Sequence, residues 1–184
     1  MNDTHDKERL LTLIRDHALL EGGDFELAQG SRVTTYIDLR RVIMHPEGAA
    51  LIGTMLLARL VDSSIAAVGG MATAAIPVVT SVVIASHSAD APLRGFYVRE
   101  RAKTRGTQRQ IEGQMQQGDR IALLEDTITS GRSTMTAVEA VRAEGGIVDR
   151  VITVVDRQQG GRELYAAENI SFDALVTLTD ITGG

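Results

Sequence analysis

The sequence predicts an α/β fold: a mostly parallel sheet flanked by helices. Continuous apolar runs such as Ile121-Ala122-Leu123-Leu124 suit strands covered on both faces. From residue 65 onward such runs alternate with stretches of helical period, the signature of strand–helix–strand units. Turn-forming glycine pairs and polar residues punctuate the ends of the runs, so each run is short enough to be one strand.

The first element is a helix over 7–20, with Leu10, Leu11, Ile14 and Ala18 at helical intervals and Gly22-Gly23 as its stop. Short β-favouring runs follow at 25–27 and 33–39, separated by Gln29-Gly30-Ser31-Arg32, which reads as a hairpin. Pro46 suits the first turn of a helix reaching about residue 61, with Leu51, Met55 and Leu56 on its buried side. A strand over 65–68 leads through Gly69-Gly70 to a helix from about Thr73, and a strand over 93–98 leads to a long polar loop. A strand over 120–124 ends in Glu125-Asp126, and the helix after it carries Met135, Val138 and Val141 on one face until Gly145-Gly146. A strand over 147–155 ends at Asp156-Arg157, and a short helix at 162–167 and a last strand at 174–178 complete the pattern.

Composition narrows the function classes. The 184 residues suit one domain over 1–184, and 43% are apolar but only 3% aromatic, so the core is aliphatic. With no cysteine, disulfides, thiolate nucleophiles, Fe–S clusters and Cys-ligated zinc are excluded. A formal charge of −5 gives no reason to expect a nucleic-acid or anionic-membrane partner. The polar start of the chain lacks the apolar stretch of an export signal, so a cytoplasmic location is expected. No Asp, Glu, Lys or Arg occurs between Asp62 and Asp90, yet Gly69-Gly70, Pro77 and scattered hydroxyls argue for a strand, turn and helix there rather than a membrane span. His5, His17, His45 and His87 show no metal-binding spacing.

In open parallel sheets, ligands bind beyond the carboxyl ends of the strands. That directs attention to Gly69-Gly70, Arg99 onward, Glu125 onward and Asp156-Arg157. The most informative segment is Leu124-Glu125-Asp126-Thr127-Ile128-Thr129-Ser130-Gly131-Arg132-Ser133. A buried strand delivers two carboxylates, and a hydroxyl- and glycine-containing loop opens a helix. Loop amides, the helix N-terminus and the hydroxyls of Thr129, Ser130 and Ser133 suit a phosphate, while a ribose diol or a hydrated Mg²⁺ suits the acids. The plainer reading is that Thr129 or Ser130 caps a helix and the acids are solvated. Gly69-Gly70-Met71 offers close backbone approach to an anion, or a simple strand-to-helix turn. Residues 99–109 carry five cations and one acid, a lid for a polyanion or merely a solvated basic loop.

Residues 124–131 resemble the phosphoribosyl-pyrophosphate (PRPP) signature of type I phosphoribosyltransferases. An ordered set narrows the resemblance to orotate phosphoribosyltransferases: Tyr36-Ile37-Asp38-Leu39-Arg40-Arg41, Val68-Gly69-Gly70, Tyr97-Val98-Arg99, Gly106-Thr107, Ile111-Glu112-Gly113 and Val155-Asp156-Arg157. The likeness runs from about residue 25 to 178. It implies the type I phosphoribosyltransferase fold with a small N-terminal hood at about 20–42 and a mobile loop at about 99–111. It also implies Mg²⁺ dependence, a homodimer whose loop reaches the neighbouring site, and transfer of phosphoribose from PRPP to orotate in pyrimidine synthesis.

By the same resemblance, Arg99, Lys103 and Asp126 are catalytic. Arg99, Lys103, Arg105 and Glu125 to Ser133, including Thr127, Ile128 and Arg132, bind PRPP. Gly69, Gly70 and Met71 face pyrophosphate. Thr129, Arg157, Tyr36 and Ile37 hold orotate, the last two through backbone groups. Mg²⁺ is expected to be held by PRPP and water rather than by direct protein ligands. The sequence departs from the pattern at Glu100, where the family has a catalytic Lys, at Arg105, where it has His, and at Ala28 in the hood, where some relatives place Lys or Ser. The first two departures leave a second function open, a PRPP-binding regulator or a phosphoribosyltransferase acting on another base.

Overall fold

The computed structural model describes residues 3–26, 32–61, 63–100 and 110–183. Lys103, Arg105, Ala28, Gly106-Thr107 and most of the expected hairpin turn lie outside them. The chain opens with α1 (Asp3–His17), then β1 (Leu19–Glu26) and β2 (Arg32–Ile37), which pair antiparallel as a separate two-stranded sheet. Helices α2 (Arg40–Ile43) and α3 (Pro46–Ala58) follow, then β3 (Ala67–Gly69), α4 (Ala75–Ser88), β4 (Arg94–Val98) and β5 (Ile111–Gly113). The second half comprises β6 (Arg120–Ile128), α5 (Arg132–Ala143), β7 (Ile147–Asp156), α6 (Gly161–Ala167), β8 (Ser171–Thr177) and α7 (Leu178–Thr182).

The main sheet has the order β5-β4-β3-β6-β7-β8, with β3, β4, β6, β7 and β8 parallel and only β5 antiparallel. Strand alternation divides its core in two. Ala122 and Leu124 pack with α1, α3 and α4 on one face, whereas Ile121 and Leu123 pack with Val138 and Val141 of α5 and Tyr165 of α6 on the other. The 63–89 stretch forms β3 and α4, and no helix among the described residues is long and apolar enough to cross a membrane.

The structure revises several boundaries. The first helix stops at His17, and Leu19-Leu20 belong to β1, because pairing with Tyr36 and Ile37 outcompetes the helical spacing. Leu51 is only partly buried; Ile52 takes the inward position beside Met55 and Leu56. Strand β6 continues past Leu124 to Ile128, because the ten-residue β7 pairs with it as far as Ile128↔Asp156. Helices α2 and α7 and strand β5 are additions to the predicted pattern.

Candidate active site

The sheet starts in its middle. From β3 the chain winds outward to β4 and β5, then returns to the other side of β3 to place β6, β7 and β8. The connections after β3 and β6 therefore diverge, opening a crevice at their carboxyl ends. A pocket of about 240 Å³ lies there, lined by 71–74 after β3 and by 125–134 after β6.

On the β6 side, Gly131 sits at the N-cap of α5 with φ 77°. It is glycine for two reasons: the left-handed conformation, and a Cβ there would lie 2.7 Å from the Tyr165 hydroxyl. No side chain caps α5. The alternative of a helix capped by Thr129 or Ser130 is thereby removed, and the positive end of a 12-residue helix faces the pocket. Thr129, Ser130 and Ser133 line the same space, so hydroxyl donors surround it.

The two carboxylates differ in environment. Glu125 is only 6% exposed and accepts a hydrogen bond from the Thr134 hydroxyl at 3.1 Å. Burial, with Asp126 adding to it, pushes its carboxyl up to about 8, opposed by Thr134 and by a hydrogen bond from the Met71 backbone. Asp126, one step along the strand, projects to the opposite face and is half-buried. Burial raises its pKa as well, against the Thr127 N–H, which donates to Oδ1 at 2.7 Å, and the positive charge of Arg40. The upward shift favours the neutral form of Glu125 and so lowers the negative charge at this end of the pocket.

On the β3 side the glycines serve packing. A Cβ on Gly69 would fall 2.2 Å from the Phe96 ring, and one on Gly70 would fall 2.2 Å from the Leu124 carbonyl oxygen. Both are buried, and the residues that line the pocket are Met71 to Ala74. Gly69 and Gly70 let the backbone pass close to Phe96 and Leu124, and Met71, next in the chain, opens the pocket wall. The Ala72–Thr73 peptide in that wall is cis.

Arg99 and Arg157 lie at the carboxyl edge of the main sheet, outside the pocket lining, whereas Tyr36 and Ile37 belong to the separate two-stranded sheet. Arg99, at the end of β4, pairs with Glu112 of β5 at 3.4 Å and lies 5.8 Å from the Tyr97 ring centre. Arg157, at the end of β7, anchors through its N–H to the Ile128 carbonyl at 2.9 Å. Its buried Nε has no hydrogen-bond partner among the described residues, leaving a donor for a ligand. Tyr36 is half-buried in β2, and the Ile37 side chain packs onto the core. Glu100 is exposed. Sequence reasoning missed Tyr165, a fully buried residue whose hydroxyl donates to the Gly131 carbonyl at 3.2 Å and so braces the phosphate-type loop from α6. Its only sequence signal was a tyrosine in a short apolar helix.

No family model matches the chain. Its sequence is 40% identical over 176 residues to orotate phosphoribosyltransferase from Nostoc, covering 95% of this chain and 84% of that one. The corresponding enzyme from Synechocystis is 42% identical over 176 residues, covering 95% and 88%. The chain belongs to the orotate phosphoribosyltransferase family. Solved structures agree: Mycobacterium tuberculosis orotate phosphoribosyltransferase bound to Fe(III) dicitrate superposes with a TM-score of 0.86 at 37% identity, covering 96% of this chain and 99% of that one. The same mycobacterial orotate phosphoribosyltransferase in complex with PRPP gives 0.80 at 35% identity, covering 96% and 98%. The type I phosphoribosyltransferase fold expected from the sequence is thus the one observed.

Proposed function

We propose that this chain transfers the 5-phosphoribosyl group of PRPP to orotate, releasing pyrophosphate and giving orotidine 5′-phosphate, with the β3–β6 pocket as the PRPP site. The uncapped N-terminus of α5, ringed by hydroxyls at the switch point of the sheet, carries this assignment. The 5′-phosphate takes the loop from Thr127 to Ser133, the ribose diol faces Asp126, and pyrophosphate faces the loop beginning at Met71. Orotate lies toward Thr129, Arg157, Tyr36 and Ile37, where the unpartnered Arg157 Nε offers its carboxylate a donor.

In the reaction, the bond from C1′ to the pyrophosphate oxygen breaks and a bond from C1′ to an orotate ring nitrogen forms. Both electron pairs come from the reactants, so no protein nucleophile is needed, consistent with a chain that has no cysteine. Catalysis consists of holding the reacting atoms in line and stabilising negative charge on the departing pyrophosphate. Arg99, Lys103 and Arg105 are assigned to that charge, and Asp126 to the positive charge developing at the ribose.

The pocket's acidic oxygens suit a hard cation, but no group of three or more His, Cys, Asp or Glu able to hold a metal occurs among the described residues. We assign Mg²⁺ to PRPP and water rather than to direct protein ligands. When bound, it neutralises pyrophosphate charge. A homodimer, with residues 99–111 reaching the neighbouring site, completes the proposal.

The test mixes protein, Mg²⁺, PRPP and orotate and follows loss of orotate absorbance. Turnover is expected. PRPP binding without pyrophosphate release would favour the regulatory reading that Glu100 invites, and turnover only with another base would reassign the acceptor.

A further inference from the structure

Arg157 is assigned to orotate under the proposed function, yet its buried Nε has no side-chain partner among the described residues. The backbone on either side of it sets its position instead. Its own N–H donates to the Ile128 carbonyl at 2.9 Å, which ties it to the end of β6. Just before it, Asp156 is only 4% exposed, and its Oδ1 accepts the Gln158 N–H at 2.7 Å, closing a turn around Arg157. Just after it, Gln158 takes φ 58°, a left-handed conformation that residues other than glycine seldom adopt. The Gln158 side chain then reaches α7, where its Oε1 accepts from the Thr179 hydroxyl at 2.7 Å and from the Thr179 N–H at 3.3 Å.

Helix α7 is a firm anchor for that contact. A reciprocal Thr177–Asp180 capping box closes its first turn, and Ile181 is buried in the core. Helix α1 holds it from the other side: Lys7 pairs with Asp180 at 3.0 Å, and Arg15 donates to the Ile181 and Asp180 carbonyls at 3.0 and 2.6 Å. A turn alone does not need glutamine at 158, because glycine enters the left-handed region without steric cost. What glutamine adds is reach, which fastens the turn to a helix already fixed to the body. We infer that Asp156, Gln158 and Thr179 are positioning residues for Arg157, holding its turn so that the guanidinium stands ready for the substrate carboxylate. The ordering cost is then met in folding rather than in binding. The inference rests on the assignment of Arg157 to orotate and deepens it by naming what holds that side chain.

Steady-state kinetics on the full chain, with KM measured for both substrates, test it. Thr179→Val deletes a hydroxyl at an exposed helix position outside the pocket lining. It should raise KM for orotate about two- to tenfold, the range of one lost hydrogen bond, and leave KM for PRPP and Tm unchanged. Thr179→Ser keeps the hydroxyl and should restore the orotate KM. Gln158→Gly keeps the left-handed turn but loses the tie to α7; it should match Thr179→Val, and combining the two should add nothing further. Arg157→Gln should raise the orotate KM more than either, and in that background Thr179→Val should have no effect. Should Gln158→Gly not fold, the two Thr179 variants decide by themselves. An orotate KM unmoved by Thr179→Val, equal rises in both KM values, or an undiminished Thr179→Val effect beside Arg157→Gln would overturn the positioning role and leave Arg157 in its assignment. An orotate KM unmoved by Arg157→Gln, or no orotate turnover by the unaltered chain, would overturn that assignment and the positioning role with it.

Discussion

Asp126 is the less buried of the two acids, Glu125 being enclosed against Thr134, and the proposed site sets it against the ribose. Asp126→Asn keeps the shape and removes the charge, so kcat/KM for PRPP should fall about 10- to 100-fold, matching the ~1.5–3 kcal/mol carried by hydrogen bonds to charged groups. Steady-state kinetics together with an unchanged circular-dichroism spectrum would show this. Glu100 is exposed, two residues past β4, and is the one acid of the cationic 99–109 sequence. If its charge opposes the leaving pyrophosphate, Glu100→Lys raises kcat, each tenfold gain being about 1.4 kcal/mol of barrier, while an unchanged kcat means another cation already serves. The raised pKa of Glu125 fixes a pH trend. Between its ordinary 4.5 and about 8 the unfolded chain gives up the proton that the folded chain keeps. Its contribution to stability is therefore fully present below 4.5 and declines as pH rises toward about 8, by up to about 1.4 kcal/mol per pH unit. The upward shift of Asp126 acts in the same sense. Urea unfolding midpoints from about pH 5 to about pH 8 should fall in the unaltered chain and flatten in Glu125→Gln.

Strand and helix order were legible because buried parallel strands are written as unbroken apolar runs, of which Ile121 to Leu124 is the clearest. Strand ends were less legible. Whether β6 stops at Leu124 or runs to Ile128 depends on β7 remaining alongside, a fact about another segment. Four-residue α2, three-residue β5 and five-residue α7 are too short to show a period. At the site, the acids and hydroxyls of 125–133 could be read directly because their spacing is local. The brace from Tyr165 could not, since it arrives from 34 residues away. That brace makes Gly131 the sensitive point of the loop. Gly131→Ala has to accept φ 77° and place a methyl 2.7 Å from the Tyr165 hydroxyl. It should destabilise the fold by at least the ~1–2 kcal/mol of a left-handed residue, with a lower Tm in thermal unfolding. PRPP affinity should fall further than stability alone explains, because the displaced loop is the one proposed to take the 5′-phosphate.

Across the whole molecule, charge is divided unevenly. The net charge of −5 includes a segment over 99–109 with five cations and one acid, so that segment is +4 and the remainder −9. An acidic body disfavours nucleic acid, whereas a short cationic stretch of sequence suits one small polyanion. Salt should separate these effects, since the Debye length shrinks from about 10 Å at 0.1 M to about 3 Å at 1 M. In the proposed site PRPP, with several charges, is assigned to the cations of the 99–109 sequence, and orotate, with one carboxylate, to the half-buried Arg157. Raising potassium chloride should therefore increase KM for PRPP steeply and KM for orotate weakly, with kcat changing little. Removing positive charge by Lys103→Gln and Arg105→Gln should reduce that salt dependence. Equal salt slopes for the two substrates, or a slope indifferent to the substitutions, would show that the cationic segment takes no part in PRPP capture and that the pocket walls alone supply its affinity.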